Sequence, residues 1–190
     1  MCACFNNQLN QFTMKQLSRR QFIQTGLVGA AAITTGFSNM AYASSKNIKI
    51  DKVKLGKTGL VVPRLALGTG SHGGNQSSDM TRMGLENWVK MARYAHERGM
   101  TFYDAADLYG SHRNVKEILK EVPREKAILL SKIWTRPEKW NSDTPAKTID
   151  RFRTETGSDY FDILLLHCMT NAKWQEEKKP YIEALSEAKQ

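Results

Sequence analysis

Met100-Thr101-Phe102-Tyr103-Asp104-Ala105-Ala106-Asp107-Leu108-Tyr109-Gly110 is the stretch on which the reading of this chain turns. A short apolar run ends in Asp104, and a turn then carries Tyr109. Two more runs repeat the pattern downstream. Ala127-Ile128-Leu129-Leu130-Ser131 leads into Lys132, and Phe161-Asp162-Ile163-Leu164-Leu165-Leu166 leads into His167. Short apolar runs bounded by turn signals and separated by helical patterns read as buried parallel strands. When such a sheet curls into a barrel, the C-terminal ends of its strands open into one shared mouth, where catalysis sits. Asp104, Tyr109, Lys132 and His167 are therefore expected to converge despite their separation along the chain.

The flanking segments keep the same rhythm. Leu85, Trp88, Val89, Ala92 and Ala95 share one helical face, and Gly99 follows as a stop signal. Val115, Ile118, Leu119 and Val122 repeat the stripe before Pro123. Thr144-Pro145 supplies an N-cap and first turn, with Ile149 and Phe152 inward and Gly157 closing the helix. Tyr181–Lys189 opens a fourth helix. Strand starts near residues 64, 100, 126 and 160 set a β/α unit of about 32 residues, the mark of a parallel sheet with right-handed crossovers. Ahead of it, residues 48–62 alternate in period two around a turn bracketed by Gly56 and Gly59, which predicts a hairpin.

Several of these segments resemble the catalytic segments of the aldo/keto reductase family. They are Asp104-x-Ala106-x-x-Tyr109-Gly110, Leu130-Ser131-Lys132-Ile133-Trp134 and Asp159-Tyr160-Phe161-Asp162-Ile163-Leu164-Leu165-Leu166-His167, in the family's order. Upstream, Leu55-Gly56-Lys57-Thr58-Gly59-Leu60 and Leu67-Gly68-Thr69-Gly70 resemble its opening hairpin and first barrel strand. Ala105 departs from the usual Thr or Ser, and Cys168 after the histidine departs from many members. The resemblance implies an α/β fold, the (β/α)8 TIM barrel, with about the first four units in residues 64–190. It also implies NAD(P)H as cofactor, with NADPH favoured, and a small-molecule carbonyl or alcohol as substrate. Tyr109 would be the proton donor and Lys132 the cation that lowers its pKa; Asp104 would hold that ammonium, and His167 would orient the carbonyl. Gly68, Thr69, Gly70 and Asp104 would approach the cofactor, Trp134 would line the substrate pocket, and no metal is called for.

Each residue also has a plainer reading. Tyr109 could cap a turn, with Tyr103 and Asp107 as competitors, and alternation does not tell whether Phe102 or Tyr103 faces the mouth. His72 and His112 read as loop residues. A non-catalytic half-barrel that binds or scaffolds is the alternative function. A metal-dependent barrel hydrolase is disfavoured, because Asp104, Asp107 and His167 make an incomplete ligand set. The Gly68–Gly74 stretch lacks the spacing of a dinucleotide-binding fingerprint.

Composition narrows the classes further. The formal charge is +9, of which Lys15, Arg19 and Arg20 account for three; the rest is dispersed, with no basic block interleaved with aromatics, so nucleic-acid binding is not expected. Cys2, Cys4 and Cys168 are the three cysteines. Residues 1–43 read as a leader: Ser18-Arg19-Arg20-Gln21-Phe22-Ile23 resembles a twin-arginine export motif, an uncharged stretch follows, and Ala41-Tyr42-Ala43 suits signal peptidase. The expected partner in export is the twin-arginine translocase. The expected address is periplasmic or extracytoplasmic, with a membrane tether if the leader stays. Met14 is an alternative start. A closed barrel typically takes about 250 residues, whereas residues 44–190 number 147. A fragment of a longer reading frame is therefore expected, with a dimer of half-barrels as the alternative.

Overall fold

A computed structural model describes residues 50–189 of the chain. The leader assigned to residues 1–43 lies outside them. Among the described residues, no helix is long and apolar enough to cross a membrane.

The chain opens with an antiparallel hairpin of β1 (Lys52–Lys54) and β2 (Val61–Pro63), paired from Lys52 with Pro63 to Lys54 with Val61. Four parallel strands follow: β3 (Leu67–Gly68), β4 (Phe102–Asp104), β5 (Ile128–Trp134) and β6 (Ile163–His167), in spatial order β3-β4-β5-β6. Between them run α1 (Asp79–Arg82) and α2 (Leu85–Glu97), then α3 (His112–Leu119), then α4 (Pro145–Thr156). Two helices, α5 (Trp174–Glu177) and α6 (Lys179–Ala188), come last. Sequential strands that are neighbours and parallel, with helices as crossovers, make a partial barrel of the TIM type.

The elements end where local chemistry ends them. Thr144 caps α4 by accepting from Lys147 N–H, Pro145 fills the first turn, and Gly157 turns left-handed just beyond the helix at φ 64°. The first barrel strand is shorter than the predicted 64–69. Pro63 and Arg64 remain with the hairpin, where Arg64 N–H donates to the Asp51 carbonyl at 2.8 Å. Helix α3 stops at Leu119, four residues before Pro123, and Val122 N–H still reaches the Ile118 carbonyl through a turn. On α2, Trp88, Ala92 and Ala95 are buried as predicted, but Leu85, the first residue of the helix, is exposed.

Two apolar clusters fill the space between helices and sheet. Trp88, Tyr103, Val115, Ile118 and Leu129 form one, and Ile133, Ile149, Phe152 and Ala184 form the other. Alternation along the strands then sends Phe102, Asp104, Leu130 and Lys132 to the opposite face, the concave one. Tyr103 faces the helices, where its hydroxyl lies 2.9 Å from His96 Nδ1. That burial pushes its phenol well above the ordinary value. Tyr103 is thereby removed from competition for the mouth.

At the opposite end of the sheet, Arg124 ties β5 to the approach of β6. Its guanidinium donates to Ser158, the Ala127 and Tyr160 carbonyls and Asp162, and stacks 3.8 Å from the centroid of the Tyr160 ring. Asp162 also accepts from Leu129 N–H at 2.8 Å. Removing the cation strands a mostly buried carboxylate. Arg124→Ala is expected to lower unfolding free energy by about 2 kcal/mol, discounted for partial exposure. A urea titration measures this; a midpoint unchanged from wild type would show the cluster to be energetically idle.

Candidate active site

The four predicted residues meet at the C-terminal ends of the strands. Asp104 ends β4 opposite Leu130 of β5, and Lys132 stands two residues further along the same face. The Lys132 ammonium reaches back diagonally to pair with Asp104 Oδ1 and donates to the Ala105 carbonyl at 3.0 Å. Tyr109 rides on a 3-10 turn, Asp107–Tyr109, that brings its ring over the strand ends. Its hydroxyl lies 3.3 Å from His167 Nε2, and the two rings meet edge to face at 5.3 Å between centroids. Lys132 Nζ sits 5.1 Å from the centroid of the Tyr109 ring. Trp134 pairs in register with His167, and their rings also meet edge to face, at 5.4 Å.

The glycine-rich loop after β3 has a steric role here. A Cβ on Gly70 would collide with Cε2 and Cζ of the Tyr109 ring, and one on Gly73 would lie 2.7 Å from Tyr109 Cδ1. The loop can wrap the phenol only because both side chains are absent. Gly68 is exposed, and a Cβ there would meet open space. Thr69, by contrast, is fully buried. Its hydroxyl donates to the Asp104 carbonyl at 2.8 Å and lies 2.7 Å from Ser111 Oγ, so its side chain braces β4 from below.

The Tyr109 phenol lies above its ordinary value, raised first by burial and then by the Asp104 carboxylate. The ammonium that was expected to act on the phenol is matched by Asp104, whose carboxylate acts in the opposite sense. His167 is shifted down, first by burial and next by Lys132, with Asp104 opposing. Near neutral pH the pair is thus a phenol beside an uncharged imidazole. His167 Nδ1 is buried without a hydrogen-bond partner. A bare lone pair there costs less than a stranded N–H, which favours the tautomer with the proton on Nε2, aimed at the mouth.

A network unread in the sequence supports this site from behind. Asp107 is 1% exposed and takes two hydrogen bonds from Arg151 of α4, at 3.0 and 3.1 Å. Arg151 also donates to Glu155, which lies 2.6 Å from His112 Nδ1, while His112 Nε2 lies 2.7 Å from Ser131 Oγ, next to Lys132. His112 is therefore no loop residue: it opens α3, buried, as a link between helix and strand. Asp107 is likewise a structural anchor for the tyrosine turn. Its proximity to Tyr109 in sequence was visible, but its partner lies 44 residues away. His72 does lie exposed in the loop, 2.6 Å from Asp79. Among the described residues, no group of three or more His, Cys, Asp or Glu side chains is placed to hold a metal ion.

Comparison with known proteins agrees with the fold. A probable aldo-keto reductase of Glycine max is 33% identical over 87 residues, covering 44% of this chain and 24% of the soybean protein. A thermostable aldo-keto reductase solved with the inhibitor epalrestat is similar in structure, with TM-score 0.57 and 26% identity over 73% of this chain and 50% of that one. An aldo-keto reductase from Klebsiella pneumoniae solved with NADPH shares the fold, with TM-score 0.53 and 22% identity over 74% of this chain and 47% of that one. The chain thus spans about a quarter of the soybean relative and about half of the two solved structures. The sequence profile of the family matches residues 64–189, which take in all four strand ends and the mouth they form, and the chain belongs to the aldo/keto reductase family.

Proposed function

We propose that these residues reduce an aldehyde or ketone to an alcohol with NAD(P)H, as part of a complete barrel, with Tyr109 as the proton donor. The observation that carries this reading is the Tyr109 hydroxyl at 3.3 Å from His167 Nε2, above the Asp104–Lys132 pair. A carbonyl oxygen set between the phenol and the imidazole would accept from both. His167, uncharged, donates from Nε2 and fixes the oxygen's position as negative charge develops. Tyr109 then gives its proton to that oxygen. Lys132, half-buried and clamped by Asp104 and the Ala105 carbonyl, would stabilise the phenolate left behind.

The mouth fits a nicotinamide cofactor in two respects. Gly68 leaves bare main chain at the end of β3, and Asp104 Oδ2 stays free of the Lys132 contact on a carboxylate that is 37% exposed. Gly68, the Gly70 main chain and Asp104 would hold the group on that side, with Trp134 beside the carbonyl. When bound, the cofactor supplies the hydride. NADPH is the favoured form, by likeness to the Klebsiella pneumoniae structure. The direct test is incubation with NADPH deuterated at the reactive carbon and a range of aldehydes. Deuterium on the carbinol carbon of the product is expected; consumption of carbonyl with no label transfer would overturn the reading.

We also infer export on the twin-arginine route, on the strength of Arg19-Arg20 and the uncharged stretch to Ser45. That route carries folded proteins, so the cofactor would be loaded before crossing. The exported protein is expected to show an intact mass that begins at Ser44. A mass that retains residues 1–43 would reject cleavage at Ala43.

A further inference from the structure

Beyond the catalytic quartet, the ends of β5 and β6 enclose a second feature. Trp134 and His167 are in register, so the residues that follow them, Thr135 and Cys168, leave the sheet side by side. Cys168 turns left-handed at φ 57°, an uncommon conformation for a residue with a Cβ. The loop that follows borders a cavity of about 220 Å³, lined by Thr135, Arg136, Cys168, Asn171, Glu177 and Lys178 among others. At roughly 30 Å³ per water, that is space for a carboxylate and part of its carrier.

The cavity is cationic. Arg136 stacks at 5.2 Å from the Trp134 ring centroid, which holds its guanidinium beside the mouth. Lys178 is half-buried, and its ammonium donates to the Thr135 carbonyl at 3.1 Å, which leaves further N–H groups. Among the described residues, neither side chain has an ion-pair partner. The one acid in the lining, Glu177, accepts from Asn171 Nδ2 at 2.8 Å. Two cations against one acid leave a net positive recess within one residue of the catalytic His167 and its neighbour Trp134. A guanidinium fork suits an oxyanion.

We propose that this recess is a substrate subsite for an anionic group, so that the carbonyl compound reduced here carries a carboxylate or phosphate. The proposal deepens the reductase reading and rests on it. The ligand chemistry is an oxyanion, and its source could be the far end of the substrate or a free small anion.

Titration of the full chain with 4-carboxybenzaldehyde, benzaldehyde and benzoate, followed by tryptophan fluorescence from Trp134 and Trp174, separates these sources. The carboxylated aldehyde is expected to bind about tenfold or more tightly than either of the others, because two linked contacts reinforce each other. Arg136→Met, which keeps a flexible apolar chain over Trp134, and Lys178→Met should each shrink that gap, and Arg136→Lys should restore part of it. Arg136 is exposed, so its replacement leaves the core intact. Equal affinity for the two aldehydes would overturn the proposal, as would a gap that survives both methionine variants. Benzoate binding as tightly as 4-carboxybenzaldehyde would mark a free-anion site and overturn the substrate assignment. Turnover separates the two readings. Reduction of both aldehydes with equal KM sinks the subsite alone, whereas reduction of neither sinks the reductase reading and the subsite with it.

Discussion

Tyr109→Phe in the full-length protein is expected to lower kcat for carbonyl reduction about a thousandfold while leaving cofactor affinity unchanged. General acid catalysis contributes on the order of 100- to 10,000-fold. The lost hydroxyl is the group that stands 3.3 Å from His167 Nε2. The ring would stay in place, because it is seated against Gly70 and Gly73 rather than held by its hydroxyl. Cofactor titration by fluorescence separates the two effects. A variant that keeps more than a tenth of the wild-type kcat would remove Tyr109 from the proton-donor role. The pH profile supplies an independent check. The phenol is held above its ordinary value, so the protonated donor persists through neutrality and the wild-type rate should fall only on the alkaline side of pH 10. The imidazole, shifted down from 6.5, stays uncharged over the same span, so its acid limb should lie below that value.

Arg151→Met is expected to destabilise the protein by about 3 kcal/mol. Asp107 is almost wholly buried and takes both its guanidinium contacts from this one side chain. Breaking such a pair from one side leaves an uncompensated buried charge, which costs about 3–5 kcal/mol; the lower figure suits an arginine that is 23% exposed. Asp107→Asn in the same background should recover part of the loss, since the buried charge is then gone. Urea titrations of the single and double variants measure the coupling. Additive effects would show that the pair does not act as a unit.

Arg151 also shapes the acid response. Burial alone would raise the Glu155 carboxyl, but hydrogen bonds from His112 and Arg151 outweigh it and hold the group below its ordinary 4.5. A carboxylate depressed in the folded state contributes stability that is present above its unfolded value and lost as pH falls through the folded one. Without Arg151 one of those two supports is gone, so acid unfolding should begin at higher pH. The same substitution loosens the Asp107–Tyr109 turn, so the stability loss and a fall in kcat should appear together.

Much of the mouth was legible in the linear order of residues. Apolar runs closing on Asp104, Lys132 and His167 place polar groups at strand ends, and the strands of a parallel sheet all end on the same side. The Thr144-Pro145 start and Gly157 stop of α4 are local chemistry and were equally readable. Strand facing was not. Whether Phe102 or Tyr103 turned to the mouth depended on which face the helices covered, and the packing of Tyr103 against His96 decided it. The direction of the phenol's shift was also out of reach, because it depends first on how deeply the fold buries the ring and then on the nearness of Asp104.

By itself, then, the sequence determined the alternation of strand and helix, the hairpin, the helix caps and the identity of the residues at the mouth. These follow from neighbours within a few positions, through side-chain period and backbone preference. Only the tertiary structure decided the partners of Asp107, His112 and Arg136, the seating of Tyr109 against two glycines, and the recess beyond Cys168. Those depend on contacts between residues that are distant in the chain, and burial and charge acquire their sign only once such residues meet.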